Sequence, residues 1–240
     1  MDLRTAFEPD GVTAVVGAGG KKSTLYAMAA ELDRAVLTAT VRIPPFENRV
    51  DRLAITDDPI GTVSENERWP LGVVPGRDGD RDRYLGYDTR TVDELASATR
   101  VPILLKADGA RTRWLKAPAA EEPQLPAASD LVVPIASVKA VGERIDGEHV
   151  HRPERVKSLL DRPLGSRIRP ADVATVLRDE RGGLKGVPPD ARVVPLLNMV
   201  DDAELEAVAE EIAVELLSEE RIERVVLGRM DRGEVVGILE

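Results

Sequence analysis

Eight consecutive residues, Gly17-Ala18-Gly19-Gly20-Lys21-Lys22-Ser23-Thr24, have the types and spacing to hold a phosphate. Glycines let the backbone turn and gather N–H groups with no Cβ in the way. A helix start behind them adds partial positive charge, and a lysine adds a full one. Two registers fit. The ordinary phosphate loop runs G-x-x-x-x-G-K-[ST]; with Lys22 as its lysine, Ser23 falls correctly, but Val16 and Lys21 stand at the glycine positions. With Lys21 as its lysine the loop is the shorter Gly17-x-x-Gly20-Lys21, and Lys22 stands where the magnesium-binding hydroxyl usually sits. The second register is preferred because it keeps the glycine next to the lysine. It leaves Ser23 or Thr24 to meet Mg2+, or leaves the metal ligand missing, and makes residues 17–24 the expected contacts for ATP or GTP. The plain alternative is a glycine turn that binds nothing. A dinucleotide fingerprint would need a third glycine where Lys22 stands, which sets aside a nicotinamide-dependent oxidoreductase.

These residues need a buried strand before them and a helix after. Val12–Val16 is such a strand, and Tyr26-Ala27-Met28-Ala29-Ala30 continues a helix. A second strand is expected over Ala35–Thr40 and a third over Val101–Leu105, which runs into Lys106-Ala107-Asp108-Gly109. An acid at the end of a strand beside the phosphate loop can hold magnesium or its water, so Asp108 is the expected metal and catalytic partner of Lys21 and Ser23. Asp before Gly is also a common turn or cap. Arg111, Arg113 and Lys116 follow as a basic cluster, to hold an anionic substrate or simply to lie in a solvated loop. His149 and His151, two apart on a strand, could begin a metal site, though no third ligand is evident; Pro153 followed by Glu154 reads more plainly as a helix start.

The remaining pattern alternates strands and helices, which indicates an α/β fold with a mainly parallel sheet. The expectation is one domain over residues 1–240, of P-loop NTPase type with a Mur-ligase-like short loop, and a small β-rich insertion over 44–90. Within that insertion Leu53–Ile55, Gly72–Val74 and Tyr84–Tyr87 read as short strands. Helices are expected over Thr91–Thr99 with Thr91 as N-cap, over Arg169–Arg178, and over Asp202–Ser218 with an apolar stripe. Strands are expected at Leu131–Ile135, at Arg192–Leu197 before a polar tetrad Asn198–Asp201, and in a closing pair at Arg224–Gly228 and Glu234–Ile238.

Composition narrows the function. Asp and Glu number 43 against 33 Lys and Arg, for a formal net charge of −10. That disfavours nucleic acid or an anionic membrane as partner, since both want a basic face. Only seven lysines are present, which makes the pair Lys21-Lys22 less ordinary; an acidic, lysine-poor surface suits a high-salt cytoplasm. With no cysteine, disulfides, cysteine-zinc sites and cysteine nucleophiles are excluded. No apolar run approaches the roughly 18 residues that span a bilayer, and a cytoplasmic protein is expected.

Taken in order, Gly17–Lys21, Ala107-Asp108-Gly109-Ala110 with Leu115-Lys116-Ala117-Pro118, His151-Arg152-Pro153-Glu154, Gly183–Pro188 and Val194–Asn198 resemble the YqeC family. That family is described as selenium-dependent hydroxylase accessory proteins or selenium cofactor biosynthesis proteins. The resemblance implies a nucleotide-binding protein that helps mature a molybdenum hydroxylase or works with its cofactor-assembly proteins, with His151, Arg152 and Glu154 in a shared motif. Two departures stand out: Lys22 replaces the family's usual threonine, and Asn198-Met199-Val200-Asp201 replaces Asn-Lys-x-Asp. By analogy with GTPases, Asn198 and Asp201 could read guanine, or Asp201 could cap the next helix. A chain without cysteine cannot itself carry selenium as a perselenide. Its share would be phosphoryl chemistry, nucleotide-gated delivery or acceptor binding. The function classes open to it are an NTP-hydrolysing enzyme, a nucleotide sensor without turnover, or a Mur-like ligase.

Overall fold

The computed structural model describes residues 2–240. The short helix α1 (Leu3–Phe7), capped by Asp2, precedes β1 (Val12–Gly17), α2 (Lys21–Glu31) and β2 (Val36–Ala39). Then come β3 (Arg52–Ile55), α3 (Pro59–Ser64), β4 (Leu71–Val74), α4 (Thr89–Ala98) and β5 (Ile103–Lys106). The middle of the chain holds β6 (Leu115–Lys116), β7 (Ser129–Ser137), β8 (Val150–His151), α5 (Pro153–Leu160) and α6 (Pro170–Arg178). The last part holds β9 (Arg192–Val193), β10 (Leu196–Asn198), α7 (Ala203–Leu216), β11 (Val225–Arg229) and β12 (Glu234–Leu239).

Ten of the strands form one mixed sheet in the order β12-β11-β10-β7-β1-β5-β2-β4-β3, with β9 also beside β7, while β6 and β8 pair in a separate parallel ribbon. Every pairing is parallel except the closing hairpin of β11 and β12. β1 lies between β5 and β7, in register with both, so the glycine turn at its end opens at the middle of the sheet. Alternation along β1 builds two cores. Val12, Ala14 and Val16 face one side with Ile103, Leu105 and Val132, while Val15 faces the other with Leu104 and Val133. The first side is covered by α4, α5, α6 and α7 through Leu95, Val156, Val173 and Ile212, the second by α1 and α2 through Phe7, Leu25 and Met28. Each such side chain, buried whole, contributes roughly 1.5–3 kcal/mol. A three-layer α/β/α arrangement results, which holds the ends of β1, β5 and β7 rigidly together.

Segment 44–90 holds β3, α3 and β4, and its two strands continue the main sheet beyond β2 as its edge. Pro59 opens α3 behind the Asp58 cap, a helix that the broken apolar pattern does not announce. Tyr84–Tyr87 is not a strand: only Tyr84 pairs, in isolated bridges with Ile43 and Arg77. The cap of α4 is Asp88, whose carboxylate accepts from the Thr91 N–H at 2.8 Å, and not Thr91 itself. The stretch before α7 breaks at Val194-Pro195 into β9 and β10, because proline has no N–H to give the ladder. Among the described residues no helix is long and apolar enough to cross a membrane.

Candidate functional site

The turn after β1 is held from outside itself. Gly17, Gly19 and Gly20 have φ of +88°, +87° and +131°, a region glycine enters without steric cost. The Ala18 N–H donates to Ile135 O and the Gly19 N–H to Arg113 O, both at 2.8 Å. Asn198, buried at the end of β10, donates through Nδ2 to Gly19 O (2.7 Å) and accepts the Met230 N–H at 2.9 Å. Gly20 then caps α2, whose first turn presents the amides of Lys21, Lys22 and Ser23 with no acidic side chain to occupy them. The Thr24 hydroxyl is spent on Gly20 O at 3.2 Å.

Beneath the turn runs a buried chain of charges. Lys21 Nζ lies 2.9 Å from Asp108 Oδ1 and also donates to Gly17 O. Asp108 Oδ2 accepts from the Gly17 N–H at 2.9 Å and lies 2.8 Å from Lys116 Nζ. Lys116 continues to Glu122 Oε2 at 2.7 Å, and Arg152 closes the chain on the same oxygen at 2.8 Å. Burial works against the Asp108 carboxylate, yet Lys21 and Lys116 together hold its pKa below the usual range, so it stays ionised. Burial also pulls Lys21 below an ordinary lysine, against the attraction of Asp108. Glu122, partly buried, is held at about 2 by Arg152 and Lys116. Burial and the positive charge of Arg152 press His151 down to about 4, which leaves it neutral.

Above the turn lies a cavity of about 430 Å³. Its cations are Lys21, Lys22, Arg42, Arg83, Lys106, Arg111 and Arg113, and no carboxylate is among its described lining residues. For a chain of net charge −10 that is a strong local reversal of sign. Lys106 is almost wholly buried, its Nζ donating to Arg42 O at 2.9 Å, and burial beside Lys21 and Lys116 brings it down to about 7. A larger hollow of about 720 Å³ lies at the strand starts beside Gly11, Ile103 and Ser129, but Asp93, Asp130 and Asp190 line it, which suits no phosphate.

The structure thus brings Gly19, Gly20, Lys21, Lys22, Ser23, Arg111 and Arg113 to one cavity. Gly17 and Ala18 lie behind it, within the turn. Several expected contacts are corrected. Lys116 is not a substrate lysine, since its side chain is 1% exposed and fully engaged. Asp108 is withdrawn below the turn, so it and Ser23 do not share a metal position; its oxygens face two ammonium groups and an N–H, and Mg2+ does not fit there. Asn198 braces the turn and does not reach into the cavity. Asp201 is an exposed residue paired with Lys139 at 2.5 Å, and the cap of α7 is Asp202. Arg152 is tied to Glu122, and Glu154 sits exposed in the first turn of α5. His149 stacks on Trp114 at 4.4 Å, and no three His, Cys, Asp or Glu among the described residues gather closely enough to hold a metal.

Three lining cations escape the sequence reading: Arg42, Arg83 and Lys106. Lysine scarcity is the signal that could have found the last, because Lys21, Lys22, Lys106 and Lys116 are four of only seven.

The family model described as YqeC protein matches residues 13–154, from β1 to the start of α5. A relative named "Uncharacterized protein YqeC" in Escherichia coli (strain K12) is 26% identical over 233 residues, covering 95% of this chain and 90% of the relative.

Proposed function

This chain belongs to the YqeC family, and from that premise we propose that it binds a nucleotide, ATP or GTP, by its phosphates in the cavity above Gly19–Ser23. One observation carries the reading: seven lysine and arginine side chains and a helix start converge on a single cavity with no lining carboxylate. The free first-turn amides of α2 would meet phosphate oxygens, and the lysines and arginines would neutralise their charge. Lys21 and Asp108 hold the turn in the open shape that such contacts need.

Binding without fast turnover is favoured over hydrolysis by the state of Asp108, whose oxygens are occupied by Lys21, Lys116 and Gly17. A P-loop sensor or chaperone therefore fits better than an NTPase, and a Mur-like ligase would need an acid substrate beside the phosphates. The setting comes from the family resemblance: assistance to a selenium-dependent molybdenum hydroxylase or its cofactor-assembly proteins.

The test is calorimetric titration with ATP and GTP analogues, with and without Mg2+, on the natural chain and on a Lys22→Ala/Arg113→Ala double variant. Binding that falls at least roughly tenfold in the variant, about 1.4 kcal/mol, with an unchanged circular dichroism spectrum, supports the site. Equal affinity in both proteins, or no binding by the natural chain, overturns it.

A further inference from the structure

Resting on the nucleotide reading above, we infer that the cavity takes the polyphosphate free of its divalent cation, with protein cations filling the role that magnesium fills elsewhere. Mg2+ at a phosphate site is held through oxygen donors, commonly one or two carboxylates, and bridges phosphate oxygens while offsetting their charge. Both functions are accounted for differently here.

The donors are missing first. Asp108, the acid at the end of the strand beside β1, is 1% exposed, and its two oxygens lie 2.9 Å from Lys21 Nζ, 2.8 Å from Lys116 Nζ and 2.9 Å from the Gly17 N–H. To turn toward a metal it would leave Lys21, buried, without its one carboxylate partner and would break the Lys116 pair as well, a change the interior strongly resists. Glu122 is held by Lys116 and Arg152, and Asp201 by Lys139. Thr24 is turned back onto Gly20 O. Of the expected metal donors only the Ser23 hydroxyl lines the cavity, next to Lys22, whose charge opposes a divalent cation there.

The charge is supplied instead. Lys22, Arg42, Arg83, Arg111 and Arg113 reach the cavity from four separate parts of the chain, so a polyphosphate can be surrounded. Arginine forks suit phosphate oxygens in pairs. A bound Mg2+ would bring a positive charge into that ring and cover the oxygens the forks need. Magnesium in solution therefore competes with the protein for the ligand.

Titration of the full chain with ATP, and separately with inorganic tripolyphosphate, in EDTA and in excess Mg2+ at matched ionic strength, tests this. The expected result is affinity weakened by roughly tenfold or more in Mg2+, about 1.4 kcal/mol. Equal or tighter ATP binding in Mg2+ overturns the inference while leaving the nucleotide site standing. No binding of either probe in either condition overturns the nucleotide reading and this inference with it.

Discussion

Lys116 Nζ lies 2.8 Å from Asp108 Oδ2, and both side chains are almost sealed from water. Neither could be in that position alone, since an uncompensated buried charge is costly. Asp108 is therefore the member of the ion chain whose loss matters most: two lysines answer to it, and it answers the Gly17 N–H as well. Asp108→Asn should cost about 3–5 kcal/mol of stability. Lys21→Met should cost less, because Lys116 still faces the carboxylate. Urea unfolding of the two variants checks the order, and a larger loss for Lys21→Met would contradict it.

Gly19→Ala should destabilise the chain by on the order of 1–3 kcal/mol. At φ +87° a Cβ there would stand 2.5 Å from the Ser137 backbone nitrogen, which cannot step aside. Gly109→Ala is the control: no atom lies within 4 Å of its Cβ position, and a change within about 0.5 kcal/mol is expected. Similar melting behaviour in the two variants would argue against the turn as drawn.

Lys106 predicts a pH dependence. Its pKa of about 7 in the folded chain lies below the ordinary 10.5, through burial and then the charge of Lys21, with Lys116 adding to it and Asp108 and Glu122 opposing. Between those values the unfolded chain binds a proton that the folded chain does not, so stability rises with pH across that window. Lys106→Met should flatten the rise. Chemical unfolding of both proteins from pH 7 to pH 10 measures it, and parallel slopes would refute the assignment.

Asp201→Ala should leave ATP and GTP affinities unchanged and alter stability by less than about 1 kcal/mol, because its pair with Lys139 is solvated. A selective loss of GTP binding would restore a guanine-reading role for Asp201.

What was legible in the sequence was local. Apolar runs ending in Gly17 and before Asp108 fixed β1 and β5, and the change from glycine to Lys21 fixed the start of α2. The cavity itself depended on chain segments meeting from afar. Arg42 follows β2, Arg83 adjoins the isolated bridge at Tyr84, and no spacing rule joins either to Gly19. Lys116 and Asn198 are ambiguous in the sequence for a related reason. A polar residue at a strand end reads equally well as a ligand contact or a buried brace, and only its neighbours decide. Asn198 bridges Gly19 O and Met230 N across two distant segments, a relationship that sequence distance hides.

The buried chain from Lys21 through Asp108, Lys116 and Glu122 to Arg152 has a consequence for how the molecule meets ionic strength. Dissolved ions screen exposed charges within about a nanometre at moderate salt but scarcely reach interior ones. Arg42 and Arg83 stand in solvent, whereas Asp108 and Lys116 do not. Salt would therefore slow the arrival of an anion without loosening the frame that receives it, so capture and architecture respond to the medium separately.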